Sequence, residues 1–388
     1  MLEMARPKPD IGIFMARPDR SLYMAGSLRE LGFEVVHYNT QGYQNDAFVP
    51  VEKGFPAALR HLLWRTDHAV YFTSLSFIPS LCLYVNHLLR RRPYVFNFTG
   101  VKWEMYRDRA SGRPFSALWE RHFYPFLMDR VFAGASKIVC NSRFLEEYVS
   151  SRFPRYRSKL LTIYNGIEFD RYSSGHPISI PGVNAGDVTI LCVTALNFEN
   201  KSKGLHLVLD AFEQVLALRK NVKLVIAAKA SNERYTNEAE AALRTRPCRE
   251  SVVLLFNRRD IPDLLASSDV FVYATPANSN DSLPRALLEA QSAGLPVVAT
   301  KTTGCAEIVL DEKTGFMVSY DAAAMAERIL QLVDDPALRR ELGSHAQEWI
   351  QRRFTWRQMA SAYAEVFIEI AERQAVGRYA LPIRERNQ

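Results

Sequence analysis

Residues 276–296 read Pro276-Ala-Asn-Ser-Asn-Asp-Ser-Leu-Pro-Arg-Ala-Leu-Leu-Glu-Ala-Gln-Ser-Ala-Gly-Leu-Pro296, between the apolar runs 270–273 and 297–300. Both flanking runs have the β-branched and aromatic content of strands. A polar loop follows the first of them. Pro284 then predicts a helix starting at about residue 283 or 284, because Pro is favoured in a first turn and Ser282 can cap it. Strand, loop, helix and strand in this order make the repeating unit of a parallel sheet. The helix would direct backbone N–H groups and its partial positive charge toward whatever binds beyond the strand end, which suits a phosphate.

The same alternation extends outward in both directions. Toward the N-terminus, apolar runs at 189–193, 223–228 and 252–256 predict strands, with Val208, Ala211, Phe212 and Val215 recurring at helical spacing between the first two. Helices are expected at 261–266, 285–293, 322–333, 336–353 and 356–373, with a poorly ordered polar tail at 375–388. In the first half, strands are expected at 11–15, 34–38, 69–72, 94–98 and 137–140, with a helix at 22–31. Residues 172–186, with two Pro, three Gly and three Ser, have no usable period and read as a linker. The expected plan is therefore a first α/β domain at 1–171, a linker at 172–186, a second at 187–355, a helix at 356–374 and a tail at 375–388. Two open, doubly wound sheets would face each other across a cleft, where ligands of such folds bind.

Composition narrows the class. At 388 residues, with 48% hydrophobic and 23% charged residues, the chain suits two well-packed domains. Its net charge of +7 is unevenly placed: residues 1–175 hold 24 Lys and Arg against 16 Asp and Glu, and the remainder holds 25 against 26. That asymmetry fits an anionic partner for the first half, such as a phospholipid surface or a pyrophosphate-linked acceptor, and equally a merely soluble basic face. No nucleic-acid reading motif accompanies it. Cys82, Cys140, Cys192, Cys248 and Cys305 are widely spaced and form no Cys-x-x-Cys pair, so neither a disulfide framework nor a zinc site is expected. Met1 to Asp10 carries four charges and reads as no secretory leader. The longest apolar run, 75–89, contains Pro79, Asn86 and His87 and ends in three arginines, which reads as a buried helix with a basic end rather than a membrane span. A cytoplasmic chain, at most peripheral on the inner face of a membrane, is expected.

Four side chains stand out around the opening stretch. Lys201 and Lys203, expected on the loop after the strand at 189–193, can supply the cations that a diphosphate needs beyond a helix dipole; otherwise they are solvated loop lysines. Glu289 sits in an apolar helical stretch, where a carboxylate needs donors: a pair of ribose hydroxyls would serve, and so would a local Arg or Lys. Asp281 either binds a ligand or caps the helix.

Five ordered motifs then carry a resemblance to the family 4 retaining glycosyltransferases of GT-B fold. They are Ile138-Val-Cys-Asn-Ser142, Ile163-Tyr-Asn-Gly-Ile167, Lys203-Gly204, Asp281 with Glu289 seven residues between, and Gly304-Cys-Ala-Glu-Ile308 leading to Thr314-Gly-Phe316. The likeness covers about residues 135–360 and the first 130 in outline. It implies an α/β GT-B architecture of two Rossmann-like domains, with the C-terminal helix crossing back to the first. It also implies a UDP- or GDP-sugar as co-substrate, no further cofactor and no metal, in line with the absence of an Asp-x-Asp pair or clustered His. By resemblance Glu289 holds the ribose and Lys203 the diphosphate, assisted by Lys201 and Asn197. Asp281 and the loop amides of Ser282, Leu283, Pro284 and Arg285 hold the sugar, and Phe256, Asn257 and Arg258 line the base pocket.

Departures accompany the likeness. Asp281 stands for the family's usual Glu and Ala195 for its usual Arg; Thr99-Gly100 stands where many members have His-Gly; and Arg17 and Arg20 replace a Gly-rich loop on the acceptor side. The implied activity is transfer of a sugar, with retention, to a hydroxyl of a glycan or lipid-linked acceptor in cell-surface polysaccharide or glycoconjugate synthesis. The alternative is a non-catalytic sugar-nucleotide-binding partner subunit. A nicotinamide oxidoreductase would need a Gly-x-Gly-x-x-Gly turn, and the chain has none.

Overall fold

In the computed structural model, which describes residues 8–15, 18–39, 48–51, 54–74, 77–100, 124–196, 199–230, 232–276 and 281–379, every strand pairing is parallel. The chain divides into two units, one of residues 1–165 with 356–388 and one of residues 166–355.

The first unit holds β1 (Ile11–Met15), β2 (Val35–Asn39), β3 (Val49–Pro50), β4 (Val70–Ser74), β5 (Tyr94–Phe98), β6 (Lys137–Cys140) and β7 (Leu160–Thr162), in the spatial order β3-β2-β1-β4-β5-β6-β7. The second holds β8 (Val188–Ala195), β9 (Val222–Lys229), β10 (Val252–Phe256), β11 (Val270–Tyr273), β12 (Val297–Thr300) and β13 (Gly315–Val318), in the order β10-β9-β8-β11-β12-β13. Both are Rossmann-like. The order reverses between β1 and β4, and again between β8 and β11, so connections leave these strands toward opposite faces and open a crevice at their C-terminal ends. The central strands are continuous apolar runs because helices cover both faces: all five residues of β5 and all four of β11 and of β12 are buried. β3, β7 and β13, of two, three and four residues, escaped the sequence reading.

Three expectations need correction. The run at 75–89 forms helix Phe77–Arg90, buried at Ser80, Cys82, Leu83 and Asn86, but Leu88 and Leu89 face solvent, so it is only half buried. Residues 172–186 are docked rather than loose: Tyr172 and Ile180 are buried, the His176 amide donates to Asp263 Oδ1 (3.0 Å), and the Ile178 amide donates to Ser267 Oγ (2.7 Å). Gly175 permits this, because a Cβ there would lie 2.2 Å from the Pro262 carbonyl oxygen. Finally, the last helix, Trp356–Tyr379, runs into the stretch expected as tail; residues 380–388 lie outside the described residues.

That last helix completes the first unit's core. Met359, Ala360, Tyr363 and Phe367 pack with Ile11, Ile13, Phe72 and Val139, and Phe72 meets both aromatic rings edge-on. The helix thus covers one face of β1 and β4, which would otherwise expose apolar side chains. Phe367 is fully buried, so Phe367→Ala is expected to cost the first unit about 3–5 kcal/mol, read by urea unfolding. A loss under about 1 kcal/mol would mean that this helix is not part of the core.

Candidate functional site

The crevice of the second sheet lies between the ends of β8 and β11, and the chain leaves each with chemistry-bearing side chains. After β8 the chain enters helix Glu199–Leu218 at once. Lys201 and Lys203 therefore sit in its first turns and not on a loop as the sequence suggested. Two positions apart on a helix, they point to different sides. Lys201 turns inward, donating to the Tyr273 hydroxyl and to Asp281 Oδ2, with its ammonium 4.6 Å from the centre of the Tyr273 ring. Lys203 turns outward and pairs with Glu199 at 2.7 Å, both side chains being more than half exposed. Gly204 fits because β11 passes beneath the helix: a Cβ would lie 1.9 Å from the Ala274 carbonyl oxygen. Close packing of helix on strand, not a turn, is what requires glycine at this position.

Beyond β11, residues 277–280 lie outside the described residues and the chain resumes at Asp281. Tyr273 donates its hydroxyl to Asp281 Oδ2, so one carboxylate oxygen serves both the phenol and the lysine. Burial, and then the Asp281 charge, raise the Tyr273 phenol well above its ordinary pKa and keep it a neutral donor. The backbone of Asp281 and Ser282 rests against Gly304, where a Cβ would lie 2.1 Å from the Asp281 carbonyl oxygen. Cys305 is buried next to it, and burial pushes its thiol up to about 12. The five cysteines are all buried thiols.

The helix begins at Arg285, with Pro284 in the cap position and no side-chain cap there, so the expected cap by Ser282 gives way to a proline entry. Glu289 consequently lies one turn in, not two. Its Oε1 accepts from Arg285 Nε (2.8 Å) and from the Tyr172 hydroxyl (2.9 Å), while Arg285 Nη2 reaches Glu168 Oε2 (2.6 Å). Burial and the Glu289 charge push the Tyr172 phenol up to about 12. Glu289 thus has a local Arg partner and a phenol, and these account for its stability in an apolar helix without a ligand. Thr314 closes the far side, where its hydroxyl accepts from the buried Gln291 side chain at 2.9 Å.

Lys201, Tyr273 and Asp281 form one group, and Glu168, Tyr172, Arg285 and Glu289 a second. Asp281 and Arg285 are four residues apart, so the groups are linked by a span of at most about 14 Å. Lys203 bonds to neither. At the end of β10, Phe256 packs on the core, Asn257 adopts φ +54° with its side chain accepting from the Ala230 amide (3.0 Å), and Arg258 pairs with Asp260 (2.8 Å). Leu283 and Pro284 bridge Ser282 to the helix. In the first unit, Thr99 and Gly100 follow β5, half-buried. Arg17 and Asn197 lie outside the described residues, as does the side chain of Arg20. Among the described residues, no three His, Cys, Asp or Glu side chains cluster as metal ligands.

Sequence reasoning missed Tyr273, Tyr172, Glu168 and the packing role of Gly304. Tyr273 alone left a signal, a phenol at the end of an otherwise apolar strand, which needs a polar partner when buried.

Residues 187–335 match the family described as Glycosyl transferases group 1, so the second unit carries a domain of that family. The chain is 28% identical over 253 residues to spore coat protein SA of Bacillus subtilis, covering 60% of this chain and 65% of that one. It is also 28% identical over 168 residues to the capsular polysaccharide biosynthesis glycosyltransferase CapM of Staphylococcus aureus, covering 42% and 43%. The alignments therefore span about two fifths to two thirds of these relatives. Among solved structures, HepE of Anabaena in complex with UDP and glucose shares the fold with a TM-score of 0.65 at 17% identity, over 92% of this chain and 99% of that one.

The two lysines should separate experimentally. Lys201→Ala strips two partly buried partners of their cation and is expected to lower unfolding free energy by roughly 2 kcal/mol. Lys203→Ala, losing a solvated i,i+4 pair, should leave it unchanged within error. A larger loss for the Lys203 variant in urea unfolding would contradict the assignment of inward and outward faces.

Proposed function

We propose that this chain, whose second unit carries a Glycosyl transferases group 1 domain, is a retaining glycosyltransferase. It would move a sugar from a nucleoside diphosphate sugar to a hydroxyl of a glycan or lipid-linked acceptor in cell-surface polysaccharide or glycoconjugate synthesis. The observation that carries this reading is the Lys201–Tyr273–Asp281 group at the crevice between β8 and β11, beside the start of helix Arg285–Ser292.

Each part has a chemical use. Lys201 and Tyr273 hold Asp281 by Oδ2, so Oδ1 can accept from a sugar hydroxyl at a fixed position. Aspartate is one methylene, about 1.5 Å, shorter than glutamate, so the sugar sits closer to the backbone or a water bridges the gap. Glu289, held by Oε1, presents Oε2 to the ribose hydroxyls. Lys203 exchanges a weak solvated pair with Glu199 for the diphosphate at little cost, and Arg258 can leave Asp260 in the same way. These cations and the amides at the start of helix Arg285–Ser292 stabilise the charge that develops on the leaving diphosphate. The bond from the anomeric carbon to the diphosphate oxygen breaks while the acceptor oxygen bonds on the same face. The acceptor proton passes to a diphosphate oxygen, so the protein supplies position and charge rather than a base. HepE binds UDP and glucose, which supports a UDP-sugar ahead of a GDP-sugar.

Thermal unfolding against UDP, GDP and ADP tests the donor site, since a ligand at a hundred times its dissociation constant adds about 2.7 kcal/mol. UDP is expected to stabilise most; no shift with any of the three would remove the nucleotide site. In transfer assays Lys203→Ala should lower turnover about a hundredfold, and unchanged turnover would free Lys203 of its role. Glu289→Ala should mainly weaken donor affinity. Donor binding without transfer by the chain alone would instead support a non-catalytic partner subunit.

A further inference from the structure

The excess positive charge of the first half is not used by the donor site. Part of it collects at one edge of the first unit, where β4 and β5 begin. Helices Phe55–Arg65 and Phe77–Arg90 both end there, and Arg90 ties them together by donating to the carbonyl oxygens of Leu63 (2.9 Å) and Thr66 (2.8 Å). At the tips of these joined ends, Trp64 is 76% exposed, Leu89 65% and Leu88 48%. The backbone turns sharply at Arg91, φ +54°, and Gln374 of the last helix donates to its carbonyl oxygen at 3.1 Å. Single exposed apolar residues are ordinary, but three large ones from two joined helix ends on one edge are not.

The charges around them are mainly positive, with Asp67 and, on the last helix, Glu372 as the carboxylates. Asp67 is bonded by Arg90 and Arg92. Arg60, Arg65 and Arg91 are exposed, and among the described residues no carboxylate lies within ion-pair distance of them. Tryptophan and leucine at the tips, ringed by arginines whose stems can lie along apolar surface, are the chemistry that enters the headgroup layer of an anionic bilayer. We propose that this edge is a docking surface for an anionic phospholipid membrane, engaged through Trp64, Leu88 and Leu89 with Arg60, Arg65 and Arg91. No helix among the described residues is long and apolar enough to cross a bilayer, so the contact is with its surface.

Cosedimentation of the full chain with vesicles of phosphatidylcholine, alone or with a third phosphatidylglycerol, tests this. Binding is expected only to the anionic vesicles and is lost at high salt. Arg60→Gln/Arg65→Gln should weaken it about thirtyfold. Trp64→Ser/Leu89→Ser should weaken it at least about tenfold, while the exposed Leu218→Ser in the second unit should not. Failure to bind, equal binding to both vesicles, or indifference to both double variants overturns the proposal. A dimer in sedimentation equilibrium that Trp64→Ser/Leu89→Ser abolishes would assign the surface to a second copy and overturn it too. If the apolar variant does not fold, the arginine variant and the salt series still decide. The assay uses no donor, so its failure is distinguishable from failure of the transfer reading.

Discussion

The Lys201 ammonium, held between the Tyr273 phenol and the Asp281 carboxylate, is the contact on which the proposed donor site depends. It spans the reversal point of the second sheet, tying the helix that follows β8 to the loop that follows β11. These two connections depart to opposite faces, and the ladder between β8 and β11 pairs only Ile190 and Leu191 with Val270 and Phe271, short of the strand ends. A partly buried ion pair with an added phenol joins them beyond it. It is a stiff arrangement, because losing any one partner strands the others away from water. Its position also sets the direction of Asp281, with one oxygen committed and the other open.

Glycine lets the elements come close enough for that contact. Gly204 admits the backbone at the end of β11 beneath helix Glu199–Leu218, and Gly304 admits the backbone of Asp281 and Ser282. Gly315, at φ +151°, lies against Val297 at the start of β12. These are three of the four glycines in the motifs by which the chain resembles its family, Gly166 being the fourth. Each of the three marks backbone against backbone where a Cβ has no room. Their effect is to let the backbones pack and so to place the side chains around them.

The second group, Glu168 and Tyr172 with Arg285 and Glu289, shows how one arrangement satisfies two demands. A carboxylate in an apolar helix needs donors when no ligand is present, and Arg285 with Tyr172 provides them. Both use the same oxygen, so the pairing stabilises the helix without closing the carboxylate to a ribose. The first unit meets a different demand. Its sheet is completed by the helix Trp356–Tyr379, and its unused positive charge gathers at the edge where the strands begin, at the other end of β5 from Thr99 and Gly100.

Local pattern was enough to read the two parallel sheets, because strands buried on both faces leave continuous apolar runs and the helices between them repeat at 3.6 residues. The likeness of motifs also marked Lys203, Asp281 and Glu289 as a set worth examining. Partners were a separate matter. Lys201 and Asp281 are 80 residues apart, and Tyr172 and Glu289 are 117 apart. No periodicity or spacing encodes which of two lysines turns inward, or which phenol meets which carboxylate. Residues 172–186 looked like a linker for the same reason, since their docking partners, Asp263 and Ser267, lie on a distant helix. Sequence determined the elements, through interactions between near neighbours in the chain; tertiary structure alone decided the pairings, because strand order at the crevice brings together residues that the chain keeps far apart.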